Sequence, residues 1–153
     1  MTGDRRKSFN RDSSLGYQVN HAARLFAQAL QQRIAPLGVV PGQFAQLLAL
    51  FEADGQTQRQ LCEQVGIEQP TMANTLRRMV RDGLIRREPD PTDGRQAHVL
   101  LTKRARDIER PLIAAARAVN TTATRGLNAQ DAATVLAALT RIIDNLEEDV
   151  NNT

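Results

Sequence analysis

The stretch from residue 84 to residue 102, LIRREPDPTDGRQAHVLLT, constrains the fold of this 153-residue chain most strongly. Its centre, EPDPTDG, combines prolines, aspartates and a glycine, which exclude a continuous helix and interrupt a central strand. Apolar-leaning segments of strand length flank it, roughly Leu84 to Glu88 and Ala97 to Leu101. We therefore expect a β-hairpin with a long tip, in which Arg95 follows the glycine.

The composition favours helices for the rest of the chain. Hydrophobic residues make up 41% of the sequence and aromatic residues only 3%, and tryptophan is absent. A core of Leu, Ile, Val and Ala suits interlocked helices better than a sandwich of sheets. One cysteine cannot form an internal disulfide, and no apolar signal segment follows the basic residues near the start. We therefore expect a cytoplasmic protein that does not span a membrane.

Charge is distributed unevenly along the chain. Between Gln56 and Arg106, ten Lys or Arg residues stand against six Asp or Glu residues, which gives +4. Between Gln130 and Thr153, one Arg stands against five acidic residues, which gives −4. A basic middle beside an acidic tail indicates a polyanionic partner that binds the middle of the chain.

Apolar residues recur at helical spacing on both sides of the hairpin. Residues of the kind that cap helices precede three of these segments: Ser13 or Ser14, Thr102 and Asn128. Pro111 should bend the helix that contains it. The pattern predicts helices over about residues 15–35, 41–53, 58–65, 68–82, 103–125 and 128–146. We expect a mainly α fold with a small β-hairpin.

The short helices at 58–65 and 68–82 are separated by Gly66, which is the layout of a helix-turn-helix. Apolar residues would fix these helices against each other: Leu61, Val65, Ile67, Leu76, Met79 and Val80. Polar residues are left away from that core: Gln69, Thr71, Asn74, Thr75, Arg77, Arg78 and Arg81. The second helix therefore has one apolar face and one polar, basic face.

The polar face suits DNA recognition. Gln and Asn bond adenine edges, Arg bonds guanine, and Thr contacts thymine or phosphate. The first turn of a groove-bound helix reads bases, so Gln69, Thr71 and Asn74 are candidate base contacts. Arg77 and Arg78 are candidate phosphate anchors. The alternative is an ordinary solvated helix face, but a basic hairpin tip directly after the helix is typical of a winged helix-turn-helix and favours DNA.

The run PTMANTLRRMVRDGLIRREPDPTDGRQAHVLLT, residues 70–102, closely resembles the MarR family of bacterial transcriptional regulators. It is similar to the family's recognition helix, strand entry, acidic D-x-R wing and closing Leu-Thr, and the helix order extends the resemblance more loosely over residues 15–146. The family wing most often reads D-R-R, whereas here it reads Asp93, Gly94, Arg95. One basic contact is therefore missing, and we expect a more mobile tip. Ala105 stands where the family often has glycine, which should matter little in a helix.

The resemblance implies a homodimer in which each winged helix binds one half of a pseudo-palindromic, double-stranded operator. It implies long dimerisation helices within 13–36 and 103–148 and a DNA-binding domain over 37–102. The apolar seams of these helices agree, because they expose more surface than one small domain could cover; the alternative is packing within one chain. Composition adds a disordered basic arm, 1–12, that either contacts DNA or is a solvated tail, and a flexible tail, 149–153.

Tyr17, His21 and Arg24 share one face of the first helix. The resemblance implies that a small aromatic acid or phenol binds beside them, with Arg24 as the carboxylate partner. The alternative is a solvated or dimer-facing polar stripe. Cys62 is either an oxidant sensor, as some relatives have, or a small buried hydrophobic residue.

We find no motif for catalysis, cofactors or metals. His21 and His98 lack acidic or thiol neighbours at metal-ligand spacing, and His98 is expected to be half-exposed in the second strand. No nucleophile motif or Gly-rich phosphate loop is present, so we predict no enzymatic activity. The predicted function is a sequence-specific, dimeric, ligand-responsive repressor. The alternatives are a winged-helix module that docks an acidic protein and an oxidant-sensing regulator that acts through Cys62.

Overall fold

A computed structural model describes residues 10–153 of the chain. In this part the helices are α1 (Leu15–Ile34), α2 (Pro41–Glu52), α3 (Gln58–Val65), α4 (Gln69–Arg81), α5 (Lys103–Asp107), α6 (Glu109–Ala123) and α7 (Ala129–Asn151). The strands are β1 (Gln56–Thr57), β2 (Ile85–Pro89) and β3 (Ala97–Leu101). The mainly α fold with a small β-sheet is as predicted.

Side-chain caps fix where several helices begin. Ser14 accepts a hydrogen bond from the N–H of Tyr17, and Asn128 accepts one from Asp131, as the sequence predicted for α1 and α7. Thr102 caps α5 by accepting from the N–H of Ala105 at 3.2 Å. Each bond satisfies an N–H that has no partner within its helix, and a cap of this kind contributes roughly 0.5–2 kcal/mol.

The helix expected over residues 103–125 is interrupted rather than bent. Helix α5 ends at Asp107 and α6 begins at Glu109, so the break falls at Ile108. Pro111 explains the position, because its ring has no N–H and collides with the carbonyl four residues earlier, which is that of Asp107.

The sheet has a third strand that the sequence analysis missed. Its order is β1-β3-β2, and both pairings are antiparallel. The hairpin of β2 and β3 pairs Ile85 with Leu101 at its base and Pro89 with Ala97 near its tip. Strand β1 adds Gln56 and Thr57 at the outer edge of β3. A strand of two residues shows no alternation of apolar and polar residues, so its sequence carries no strand signal.

One hydrophobic core joins the helix-turn-helix to the sheet. Its fully buried side chains come from α2, α3, α4, β3 and the residue just before β2: Leu47, Leu50, Leu61, Met72, Leu76, Met79, Val99 and Leu84. The end of α1 contributes Ile34, and α5 contributes Ala105. The core therefore holds α4 and the hairpin in a fixed relation.

The chain divides into two compact units, one ending at Arg117 and the other comprising Ala118–Thr153. In the second unit, α7 has no buried residue along its 23 residues. The basic arm proposed for 1–12 lies mostly outside the described residues; within them, Arg11–Ser13 form a short 3-10 helix capped by Asn10.

Among the described helices, none alone is both long and apolar enough to cross a membrane. The pair Leu15–Leu37 and Pro41–Glu52 meets the length and composition requirement only together, with a bend of 72° between its members.

Candidate nucleic-acid interface

Helix α4 presents one buried face and one exposed face. Met72, Leu76 and Met79 have no exposed surface and lie at helical spacing, so they form one stripe toward the core. Burial of each side chain contributes roughly 1.5–3 kcal/mol. Pro70 lies in the first turn, where a missing N–H costs no hydrogen bond. The core thus anchors α4 by one face and leaves the other accessible.

Most of the residues predicted to read DNA lie on the accessible face. The exposed members are Gln69, Thr71, Asn74, Arg77 and Arg78. Thr75 differs, because it is half-buried and its hydroxyl donates to the carbonyl of Thr71 at 3.0 Å. The hydroxyl hydrogen of Thr75 is therefore used within the helix.

A side-chain hydrogen bond links the two helices of the helix-turn-helix. The amide Nε2 of Gln58, at the start of α3, donates to Oε1 of Gln69, at the start of α4, over 2.9 Å. The side-chain oxygen of Gln69 is therefore held by Gln58, and the amide N–H groups of Gln69 are not used in this bond.

The wing is the hairpin of β2 and β3 with its tip, residues 90–96. The tip is closed by backbone hydrogen bonds from Asp90 N–H to the Gln96 carbonyl and from Gln96 N–H to the Asp93 carbonyl, at 3.0 and 3.1 Å. The carboxylate of Asp93 accepts from the N–H of Arg95 at 3.0 Å. Asp93 therefore shapes the turn, and Arg95 is the exposed cation of the tip.

Gly94 does not have the backbone conformation that requires glycine. It is not among the glycines with positive φ, and a Cβ added to it would meet no atom within 4 Å. A larger side chain would therefore fit here without backbone strain. The departure from the family wing at this position removes a basic side chain, but the turn does not depend on it.

A cleft of about 370 Å³ lies between the starts of α3 and α4 and the wing. Arg59, Arg87 and Arg95 line it, and no Asp or Glu is among its described lining residues. Arg59 is paired with Glu63 of the same helix at 3.3 Å, so the excess positive charge of the cleft comes from Arg87 and Arg95. Excess positive charge of this kind attracts a polyanion. The sequence analysis missed Arg59 and Arg87. Arg87 pairs with Val99 but is itself exposed, so its place in the strand gave no signal that it lies beside Arg59.

The opposite face of the wing carries an ion pair. His98 is half-buried in β3, as predicted, and its Nε2 lies 2.6 Å from Oδ2 of Asp90. Its Nδ1 lies 2.7 Å from the carbonyl oxygen of Gly55. Hydrogen bonds to Asp90 and then to Gly55 raise the pKa of His98, and the bond from His98 is the largest of several that hold the pKa of Asp90 well below its ordinary value.

A second polar cluster lies at the end of α4. Gln43, which is buried in α2, donates to the carboxylate of Asp82 at 2.8 Å, and Arg104 donates to the backbone carbonyls of Asp82 and Leu37. The pKa of Asp82 is lowered, first by the bond from Gln43 and then by Arg81 and Arg104. Arg104 thus ties the end of α4 to the segment that follows α1.

The proposed ligand residues share an exposed face of α1. The rings of Tyr17 and His21 stack, with centroids 6.3 Å apart and an interplanar angle of 18°. Arg24 lies one turn further along the helix and is exposed. The structure brings the two rings together, and all three side chains are exposed.

Cys62 is half-buried against the core, and its burial raises the pKa of its thiol, followed by the charge of Glu63. A raised pKa keeps the sulfur as an unreactive thiol, which favours the role of a small hydrophobic residue. Within residues 10–153, no three His, Cys, Asp or Glu side chains are grouped so that they could hold a metal ion.

Comparisons with known proteins agree with this architecture. A family model described as MarR family matches residues 37–96, which run from the end of α1 to the tip of the wing. A crystal structure of a probable transcriptional regulator from Pseudomonas aeruginosa is 30% identical, with a TM-score of 0.80, and the match covers 87% of this chain and 99% of that chain. The chain belongs to the MarR family. The resemblance found in residues 70–102 is thereby confirmed.

Two further proteins extend the comparison. The uncharacterized HTH-type transcriptional regulator YwoH of Bacillus subtilis is 30% identical over 89 residues, which are 58% of this chain and 64% of YwoH. The match therefore spans less than two thirds of that relative. BpsR of Bordetella bronchiseptica shares the fold at 21% identity, with a TM-score of 0.81 over 89% of this chain and 97% of BpsR.

Proposed function

We propose that this MarR-family protein binds a pseudo-palindromic, double-stranded operator as a homodimer and represses transcription from it. The observation that carries the proposal is the cleft beside α4, where Arg59, Arg87 and Arg95 converge and no described lining residue is acidic. Arg59 is partly balanced by Glu63, so Arg87 and Arg95 supply the excess positive charge for phosphates. Neutralisation of phosphates releases counterions, which drives binding. The exposed face of α4 lies beside these cations and can enter the major groove.

In this arrangement, the two ends of α4 have different tasks. Gln69, Thr71 and Asn74 lie in its first two turns, where a groove-bound helix contacts base edges. Arg77 and Arg78 lie further along and anchor phosphates, which fixes the register of the helix. Thr75 has its hydroxyl bonded within the helix, so its part is packing rather than donation to a base.

The wing has its own contact in this proposal. Arg95 is the exposed cation of a tip whose turn is shaped by Asp93 and permits a larger residue at Gly94. An arginine at such a tip enters the adjacent minor groove, where A·T-rich sequence concentrates negative potential. Arg59 and Arg87 hold phosphates on the way from the helix to the wing.

The dimer follows from apolar faces that the chain leaves open. Helix α7 exposes Leu136 by 68%, Ile143 by 53% and Leu146 by 59%. Helix α1 separately exposes Leu15 by 60% and Phe26 by 42%. A second copy of the chain covers such faces in a two-fold dimer, and a two-fold protein matches a pseudo-palindromic operator.

For the effector, we propose a small aromatic acid or phenol that binds at Tyr17, His21 and Arg24 of α1. The stacked rings offer an aromatic surface and Arg24 offers a carboxylate partner. BpsR, which has the same fold, is described as regulated in its DNA binding by 6-hydroxynicotinic acid, an aromatic acid. Binding that favours a half-site spacing unlike that of the operator would release the repressor.

Fluorescence anisotropy with a labelled duplex from the region upstream of the gene tests DNA binding. We expect Asn74→Ala to weaken operator binding roughly 5- to 100-fold and to leave binding to random duplex almost unchanged, because a base contact carries specificity. Arg95→Ala should weaken binding most at operators with an A·T-rich flank. Arg141→Ala, on α7, is the control and should bind as the parent does. Parental binding by both Asn74→Ala and Arg95→Ala would refute the assignment.

The same measurement separates the proposal from a protein-interaction role. A DNA-binding protein with several phosphate contacts binds random duplex at low salt, and its affinity falls steeply as salt rises. If random duplex is not bound at low salt, the basic face serves an acidic protein instead.

A further inference from the structure

His98 makes two hydrogen bonds that the proposed DNA contacts do not explain. One ring nitrogen faces the carboxylate of Asp90 at 2.6 Å and the other faces the carbonyl of Gly55 at 2.7 Å. Both partners accept hydrogen bonds and donate none. A neutral imidazole has one N–H and could serve only one of them, whereas an imidazolium serves both. The geometry therefore fits the doubly protonated ring.

The two partners of His98 belong to different parts of the DNA-binding region. Asp90 organises the wing tip, because its Oδ1 accepts from the N–H and hydroxyl of Thr92 and from the N–H of Asp93. Gly55 forms the turn before β1, with φ +78°, and its N–H donates to the carbonyl of Val99. His98 thus joins the tip to the rigid edge of the sheet.

We propose that protonated His98 is the positioning residue of the wing and holds the tip, with its Arg95, against the turn at Gly55. We call His98, Asp90 and the Gly55 carbonyl the wing clamp. Side chains alternate along β3, so His98 points away from the cleft that Ala97 and Val99 line. The clamp therefore sets the position of Arg95 from behind without touching DNA. This inference rests on the proposed function only for its effect on the operator.

The surroundings of His98 favour its charged form. Asp90 faces it directly, and Glu88 lies opposite it on β2, where Arg86 binds Glu88 at 3.0 Å. On the other side, β1 places the uncharged Thr57 opposite His98. Asp54, which precedes Gly55, is paired with Arg106 at 2.7 Å.

The direction of the pH effect follows from the raised pKa of His98. The contribution of the clamp is complete below the ordinary histidine pKa of 6.5 and is lost as the pH rises through the raised folded-state pKa. The wing is therefore fully positioned below pH 6.5 and is released as the pH rises through the raised pKa of His98.

NMR of the DNA-free protein tests the clamp directly. The chain has two histidines, so His21→Gln assigns the imidazole signals without touching the wing. We expect the His98 midpoint to lie above 6.5 and the 13C signals of Thr92 and Gly94 to shift with that same midpoint. Asp90→Asn should return the His98 midpoint toward or below 6.5. A His98 midpoint at or below 6.5 in the parent would overturn the proposal.

Variants then test positioning. At pH 6, where the clamp is complete, His98→Gln should increase the fast backbone mobility of residues 92–95 in 15N relaxation, whereas His21→Gln should not. Operator affinity should fall roughly fivefold in His98→Gln, the scale of a partly exposed ion pair. Unchanged tip mobility, or a loosened tip with parental operator affinity, contradicts the clamp. If His98→Gln loosens the tip but the parent protein binds no operator, the clamp is supported and the proposed function is refuted. His98→Gln alone decides if Asp90→Asn does not fold.

Discussion

Helices α4 and α7 are both amphipathic, but the apolar stripe of α4 is buried and that of α7 is exposed. In α4, Leu76 and Met79 are fully buried by the chain's own core. In α7, Leu136 and Leu146 keep 68% and 59% of their surface exposed. Helix α4 packs its apolar stripe against the chain's own core, whereas the stripe of α7 is left exposed in a single copy of the chain. The contrast separates the part that presents the proposed DNA-reading face from the part that we propose to build the dimer.

Placing charge on the stripe of α7 should have the largest effect. The double variant Leu136→Asp with Ile143→Asp should be monomeric in light scattering and should lose roughly 1,000-fold or more in operator affinity, because one half-site gives little beyond non-specific binding. The control is Thr134→Asp with Arg141→Asp, which has the same spacing on another side of the helix. If the protein with the charged stripe remains dimeric, the stripe of α7 is not the dimer interface and the contrast drawn with α4 is wrong.

Removing bulk from the stripe of α4 should destabilise the fold instead. Leu76→Ala leaves a cavity in the core and should lower the free energy of unfolding by roughly 2–5 kcal/mol in urea titration. Val80→Ala, in the same helix but with the native side chain 44% exposed, should cost much less. Equal decreases in the free energy of unfolding for the two variants would show that Leu76 is not packed in the core as described.

The charges beside α4 should have a smaller, uniform effect. Arg59→Gln and Arg87→Gln should each weaken binding to operator and random duplex alike and reduce the slope of log affinity against log salt by about 1. Arg141→Gln on α7 is the matched control and should leave the slope unchanged. A change in base preference without a change in slope would assign these arginines to bases.

The smallest effect concerns the hydrogen bond at the end of α4. Because Gln43 lowers the pKa of Asp82, the native state gains stability above the ordinary Asp pKa of 3.8 and loses it as the pH falls through the lower folded-state value. Gln43→Met should therefore reduce the loss of stability between pH 5 and pH 2 in thermal melts.

Gln46→Met is a matched control in the same helix. Gln46 is also buried, but its Oε1 has no hydrogen-bond partner in the described part of the chain. Its replacement should leave the acid dependence unchanged and be neutral or stabilising, since an unsatisfied buried oxygen is removed. An altered acid dependence in this variant alone would exclude the Gln43–Asp82 bond as the cause.

Features encoded by neighbouring residues could be predicted from the sequence. Helix α4 was expected over 68–82 and spans Gln69–Arg81, because apolar spacing and a following glycine mark its limits. The caps at Ser14, Thr102 and Asn128 follow from interactions within three residues. Strand β3 was likewise expected over its observed range, since a turn sequence isolates it.

Features made by distant residues could not be predicted in this way. Strand β1 exists because it pairs with β3, and the contact of His98 with Gly55 joins residues 43 positions apart. The cleft brings Arg59, Arg87 and Arg95 together from three separate segments. None of these pairings leaves a periodic trace in the sequence, because each depends on how the core folds the segments back on one another.

The bond between Gln58 and Gln69 has a consequence for which bases the protein accepts. Because Oε1 of Gln69 already accepts one hydrogen bond from Gln58, we expect the amide to meet a base mainly through its N–H donors. In the major groove, such donors suit N7 or O6 of guanine, N7 of adenine and O4 of thymine, but not the amino group of cytosine. If Gln69 contacts a base as proposed, its bond with Gln58 limits which bases the operator can carry at that position. Gln58, which contacts no base in this proposal, thus influences base selection through Gln69.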